Sequence, residues 1–386
     1  MHDVPFTPAT DPLGHTAPLD QRASFLLLGV PLEVRSNSPA VIGAAERAFG
    51  GWRGLEPELI EDCEPCVVNL IVHDDRRPTT DDRRPTNGDE NGEARTAEPR
   101  PAEPSTETRD PQNREPRTES QDYGLRATDY ELRTETVTRS TPFIMRFHSD
   151  CFLGTDGANL LTAQLDRGFA LGFVTPELVA DESRLRYHAL ELLALALVSR
   201  RDRVPVHAGA IVRRGRAVLL AGRSTAGKST LCYACLREDF QLLTEDVVYV
   251  SLRHGLRLWG VPWQIHLLPD AVRHFGELVD IPSVLQANGK RKLTVEIAAF
   301  GMDRARRHVE RAAVCVVERA SGAASALEPI EPCAAIEVLS GDLESGFDLH
   351  GETIACAEAL VAGGAYRLRV GSDLAGAVAL LRELTE

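Results

Sequence analysis

The stretch "VHAGAIVRRGRAVLLAGRSTAGKSTL", residues 206–231, decides the reading of this chain. Within it AVLLAG (217–222) has the pattern of a short apolar strand, and STLCYACLRE (229–238) that of a helix. Between them, Gly222-Arg223-Ser224-Thr225-Ala226-Gly227-Lys228-Ser229 satisfies G-x-x-x-x-G-K-[ST], the pattern of a phosphate-binding loop. Glycines at those places let backbone N–H groups turn inward around phosphate oxygens, and the helix N-terminus adds its positive end. Gly222, Ser224, Thr225, Ala226, Gly227, Lys228, Ser229 and Thr230 are therefore the expected cradle for ATP or another nucleoside triphosphate. Lys228 would reach the β- and γ-phosphates, and the Ser229 hydroxyl would ligate Mg²⁺.

Working outward, GAIV and AVLLAG flank a turn near Arg214–Gly215, so the lead-in reads as a hairpin. If its pairing were regular throughout, His207 would lie opposite Gly222 at the mouth of the loop. Downstream, FQLLTEDVVYV (240–250) reads as one strand carrying Glu245 and Asp246 side by side. Phosphoryl transfer uses a carboxylate on the metal and often a second to accept the proton of the attacking hydroxyl. Neighbouring strand residues face opposite ways, so both can serve one site only at a strand end or a bulge. Otherwise one is a metal ligand and the other a solvated acid.

Composition bounds the rest. Net charge is −14, from 57 acidic and 43 basic residues, which argues against nucleic acid as a partner. Eight cysteines are too few for a disulfide scaffold. The N-terminus lacks a basic start followed by an apolar core, and the most apolar run, ALELLALALV (189–198), is too short to span a membrane. A cytoplasmic protein is the expectation. Residues 1–23 read as a flexible N-terminus. SFLLLGVPLEV (24–34) reads as one or two strands, and SPAVIGAAERAFGGW (38–52) as a helix with Ser38 at the N-cap, Pro39 first and Gly50–Gly51 as the stop. PCVVNLIVH (65–73) is another strand pattern, resumed by DYELRTETV (129–137) and PFIMRFH (142–148), and a buried helix is expected over 183–200. An insertion at 74–128 interrupts this small α+β module (24–73 plus 129–200). Its stretch 74–122 has seven prolines, a repeated DDRRPT and no Val, Ile, Leu, Met, Phe, Trp, Tyr or Cys, a composition expected to be disordered. Residues 201–386, with alternating strands and helices, are the expected catalytic α/β domain.

Together these residues resemble the C-terminal domain of HPr kinase/phosphorylase and its phosphoenolpyruvate-carboxykinase-like P-loop relatives. His207-Ala208-Gly209 matches the family's histidine-glycine lead-in, Gly227-Lys228-Ser229 its loop, and Glu245-Asp246 its aspartate pair. GKRKLTVEIAA (289–299) is similar to its basic loop and following strand, which places Arg291 at the arginine used in phosphoryl transfer. The resemblance implies an α/β P-loop kinase core with the N-terminal module beside it, and it covers about residues 205–300. It implies Glu245 as base supported by His207, Ser229 and Asp246 on Mg²⁺, and Arg291 on the transferred group. The first acid here is Glu, and an acidic metal-associated position of the family is Arg257, which tells against a second metal. The N-terminal module is closer in style to HPr-kinase-related proteins of peptide-modification clusters, such as lasso-peptide precursor kinases. The implied acceptor is thus a serine of a small protein or peptide, and a homo-oligomer is compatible with the pattern. A small-molecule or RNA-hydroxyl kinase, or a slowly hydrolysing nucleotide-dependent regulator, would use the same site.

Among the other candidates, Cys63/Cys66 and Cys232/Cys235 each have C-x-x-C spacing, but one pair is an incomplete zinc site. VCVVE (314–318) reads as a core strand, and DLAGAVALLREL (373–384) as a packing helix.

Overall fold

The computed structural model describes residues 18–73, 144–148, 150–286, 289–341 and 352–386. The expected insertion at 74–128 and the strand pattern at 129–137 lie outside the described residues. The fold is mixed α/β. Strands β1 (Gln21–Leu27), β2 (Val30–Ser36), β3 (Cys66–Val72), β4 (Ile144–His148), β5 (Cys151–Thr155), β6 (Leu160–Gln164) and β7 (Phe169–Val174) form one sheet in the order β1-β2-β3-β7-β6-β5-β4.

The segment 24–34 yields two strands, because Leu28 and Gly29 both adopt positive φ (53° and 80°) and close a two-residue hairpin turn. β1 starts at Gln21, paired with Ser36, so strand pairing begins inside the stretch 1–23 expected to be flexible. Helix α1 (Pro39–Phe49) follows, with Pro39 in its first turn and Ser38 at the N-cap position. The Ser38 side chain makes no capping bond; its N–H instead donates to Ser36 Oγ at 3.1 Å. The helix expected over 183–200 is composite: α2 (Pro176–Ala180) precedes it, and α3 (Glu182–Leu185) joins α4 (Glu191–Ser199) through one π-type turn. Leu193, Ala194, Leu197 and Val198 of α4 bury into the core of this sheet.

The remaining strands are β8 (Val204–His207), β9 (Gly209–Arg213), β10 (Arg216–Ala221), β11 (Gln241–Thr244), β12 (Val247–Ser251), β13 (Arg257–Trp259), β14 (Gln264–Leu267), β15 (Ser283–Leu285), β16 (Arg291–Glu296), β17 (His308–Val309), β18 (Ala312–Arg319), β19 (Ala326–Pro329) and β20 (Ala365–Val370). Helices α5 (Lys228–Leu236), α6 (Pro332–Gly341), α7 (Thr353–Val361) and α8 (Leu374–Glu383) complete this part. Three sheets result, ordered β11-β9-β10-β18-β20-β19, β17-β13-β12-β8 and β14-β16-β15.

β10, β18 and β20 run parallel at the centre of the six-stranded sheet; β9 and β19 flank them antiparallel, and β11 pairs antiparallel with β9 at the edge. Alternation divides β10 between two cores: Val218 and Leu220 face α5 and α8, while Ala217, Leu219 and Ala221 face α6, α7 and the four-stranded sheet. A strand covered on both faces needs a continuous apolar run, which AVLLA and AAVCVV supply.

The described residues pack as one compact unit. Tyr249 and Trp259 share a core with the seven-stranded sheet, so the step at 200/201 is a change of sheet within continuous packing. Arg203, 1% exposed, fastens that junction: its guanidinium donates to the carbonyl of Leu28 (2.8 Å), pairs with Glu61 (3.0 Å) and lies over the Trp259 ring. Among the described residues no helix is long and apolar enough to cross a membrane.

Candidate active site

The hairpin before the loop has the anticipated turn. β9 and β10 pair from Arg213↔Arg216 to Gly209↔Leu220, and Arg214 and Gly215 both have positive φ (50° and 73°). At the end of β10 the chain passes through Gly222 at φ 139°, where a Cβ would come within 2.7 Å of the Val317 carbonyl oxygen on β18. Only glycine fits so close to a neighbouring backbone. A turn follows, closed by the Ala226 N–H donating to the Arg223 carbonyl at 3.1 Å. Ser224 and Thr225 are exposed at its tip, and Thr225 holds φ 71°, a left-handed conformation rare for a β-branched residue. Gly227 (φ 101°) then occupies the N-cap of α5.

Lys228 opens α5, and its ammonium folds back over the loop, donating to the Gly222 carbonyl at 2.5 Å and the Arg223 carbonyl at 3.4 Å. Among the described residues no protein acceptor takes the N–H of Ser224, Thr225 or Gly227. The loop is thus a ring of available donors around a cation at a helix N-terminus, a shape suited to an anion. Ser229 and Thr230 are half-buried in the first turn.

The stretch 240–250 is not one strand. β11 ends at Thr244 in the six-stranded sheet, β12 begins at Val247 in the four-stranded sheet, and Glu245-Asp246 is the step between them. Strong burial on both sides conceals this break in the sequence, yet it places both acids at strand ends, where strict alternation no longer separates them. Glu245 is 9% exposed. Its Oε1 lies 2.7 Å from His266 Nδ1 on β14, and its Oε2 accepts the His266 backbone N–H at 2.7 Å. The Asp246 side chain is 65% exposed, with Oδ1 3.6 Å from His207 Nδ1.

His207 is not opposite Gly222. The β9–β10 ladder stops at Gly209, and His207 belongs to β8, where it pairs with Val247 of β12. It still faces the acidic step, but through the four-stranded sheet.

Gly209 explains how close these parts come: a Cβ there would meet Cys232 Sγ at 2.9 Å and the Glu245 carbonyl oxygen at 3.0 Å. Cys232 lies one helical turn beyond Ser229, on the same face of α5. Burial pushes the Cys232 thiol far up, the Glu245 charge acts in the same sense, and the Lys228 ammonium opposes it.

Arg291 lies at the start of β16, opposite Leu285, and its guanidinium donates to the Ser283 carbonyl at 3.1 Å. Lys290 closes the β15–β16 connection, its carbonyl accepting the Gln286 N–H at 2.9 Å, and Asn288 of NGKRKL lies outside the described residues. Arg257, on β13, pairs with Glu310 at 2.9 Å. Glu318 on β18 pairs with Arg367. Both C-x-x-C pairs are free thiols, and Cys232 and Cys235 are packing residues of α5. No cluster of three or more His, Cys, Asp or Glu suited to a metal occurs among the described residues.

No motif in the sequence points to His266. QIHL alternates, with Ile265 and Leu267 buried, so a polar residue between them on the other face was the available signal.

No family model matches the chain, and no curated protein matches it. Among solved structures it is similar to the Hpr(Ser) kinase/phosphatase from Coxiella burnetii, over 46% of this chain and 94% of that one, at 14% identity and a TM-score of 0.25. A likeness at that level leaves the chemistry to be argued from this chain's own residues.

Proposed function

We propose that this chain is an ATP-dependent kinase that passes the γ-phosphoryl group to a hydroxyl, most readily a serine of a small protein or peptide. One observation carries the reading: a strand–loop–helix with unpartnered amides and a folded-back lysine, whose helix meets at Gly209 the sheet break that carries a pair of carboxylates. An anion site alone binds phosphate; an anion site beside a fixed carboxylate can also remove a proton from an attacking hydroxyl.

Lys228 would exchange its two loop carbonyls for β- and γ-phosphate oxygens, and the amides of Ser224, Thr225 and Gly227 would hold the remaining ones. The donor set suits Mg²⁺, a hard cation that keeps several waters and takes few protein oxygens: the Ser229 hydroxyl and the Asp246 carboxylate. When bound there, Mg²⁺ would neutralise phosphate charge. Glu245 would accept the proton of the acceptor hydroxyl as the hydroxyl oxygen attacks the γ-phosphorus. His207 would orient Asp246 across the same step. Arg291 would turn its guanidinium from the Ser283 carbonyl toward the transferred group.

The test is incubation with γ-labelled ATP, Mg²⁺ and a pool of serine-containing peptides. Label on a peptide hydroxyl supports the proposal. Release of free phosphate alone would place the protein with nucleotide-hydrolysing regulators, and label on nucleosides or other small molecules would change the acceptor class.

A further inference from the structure

We infer that His266 is a positioning residue that fixes Glu245 for proton removal, an inference that rests on the kinase reading above. Its grip is two-point: Nδ1 reaches Oε1 and the backbone N–H reaches Oε2, each at 2.7 Å. An ionised carboxylate only accepts, so Nδ1 carries the proton and donates it. One hydrogen bond would leave the carboxylate free to swing; two from the same residue fix both its place and its rotation.

The clamp is itself held. β14 buries Ile265 and Leu267 on its core face, and His266 is paired with Thr294 of β16. Asp246 next door has no such grip: it is 65% exposed and has one histidine at 3.6 Å. Two adjacent acids are thereby made different, one locked and one loose. The locked one suits a base, whose alignment with a hydroxyl proton must be kept; the loose one suits a metal ligand, which can adjust. A carboxylate offers about four lone-pair sites, so two bonds to His266 leave others for the incoming proton. In the transfer step that proton passes to Glu245, the hydroxyl oxygen bonds to the γ-phosphorus, and the bond from that phosphorus to its bridging oxygen breaks, releasing the nucleoside diphosphate. His266 keeps its Nδ1 proton throughout.

Three variants separate positioning from mere packing. Asn can place an N–H donor where Nδ1 sits, whereas Gln places it nearer the position of Nε2. His266→Ala and His266→Gln should lower kcat on the order of 10²-fold, the effect of a misplaced reacting group, while His266→Asn recovers most of it. KM for ATP should stay within about twofold in all three, since His266 is not among the residues proposed to hold the phosphates. An Asn variant as impaired as Ala, or an Ala variant with unchanged kcat, would overturn the inference. A second readout needs no turnover: ¹⁵N-histidine NMR of the full chain should show the His266 ring protonated at Nδ1, and Glu245→Ala should abolish that signature. A ring protonated at Nε2, or spectra indifferent to Glu245→Ala, would also overturn it. Absence of phosphoryl transfer by the unaltered protein would refute the kinase reading, while the NMR result would still decide whether His266 holds Glu245.

Discussion

Gly222→Ala should damage the fold far more than Gly227→Ala, although both lie in one loop and both have positive φ. At Gly222 the new methyl would sit 2.7 Å from the Val317 carbonyl oxygen, a backbone atom that cannot rotate away, with φ at 139°. The conformation alone is worth about 1–3 kcal/mol against a non-glycine residue. Parting β10 from β18 to relieve the contact adds roughly 1–3 kcal/mol, as overpacking does in well-packed cores. At Gly227 (φ 101°) nothing lies within 4 Å of the added carbon, so only the left-handed conformation is penalised, at about 1–2 kcal/mol. The expected gap between the variants is therefore about 1–3 kcal/mol. Urea denaturation followed by tryptophan fluorescence reads it, since Trp52 and Trp259 are fully buried. The Gly222 variant should also bind nucleotide more weakly, because the carbonyl that seats Lys228 moves with it. Equal destabilisation by the two substitutions would refute the packing argument.

Glu245→Gln should lose about 10²–10⁴-fold in kcat with ATP binding retained, whereas Asp246→Asn should raise the Mg²⁺ requirement; steady-state kinetics across Mg²⁺ concentrations checks both, and reversed effects would exchange the two roles. Arg291→Lys should lower kcat more than nucleotide affinity, while Lys290→Ala and Lys292→Ala should act on the acceptor's KM; small, equal, salt-screened effects from all three would make this a solvated basic turn. Burial lowers the pKa of His188, with Arg184 adding to it, and of His308, with Arg306 and Arg257 adding to it. Each lowered folded-state value favours the neutral ring, so this stability is present above the unfolded pKa of about 6.5 and is lost as pH falls through the folded value. Melting temperature should thus decline on acidification from neutral, and His188→Asn with His308→Asn should flatten that slope; an unaltered slope in the double variant would contradict the assignment. Deleting residues 74–122 should leave the melting temperature nearly unchanged, since the segment has no aliphatic or aromatic side chain larger than Ala, apart from proline, to lend a core; a large loss would be evidence against that reading of its composition.

Local chemistry was legible in the sequence and cross-sheet chemistry was not. The Arg214–Gly215 turn, the strand ending at Ala221 and the helix from Lys228 each follow from spacing and glycine placement, because every determinant lies within a few residues. The register beyond Gly209 is not legible, because Ala208 separates β8 from β9 and nothing in an apolar alternation says which sheet the next strand joins. The same limit hid the break at Glu245-Asp246. The Glu245–His266 contact spans 21 residues and two sheets, so no local pattern announces it. Arg291 sits where its motif suggests along the chain, but the β15–β16 pairing holds it to Ser283.

The central claim is that the loop from Gly222 to Ser229 holds nucleotide phosphates through Lys228. Calorimetric titration of Mg²⁺–ATP into the unaltered protein and into Lys228→Ala tests it most directly. A lost charge-assisted hydrogen bond is worth about 1.5–3 kcal/mol, so the variant should bind roughly 10- to 150-fold more weakly. Equal affinity in the two proteins, or no binding by the unaltered one, would contradict the account.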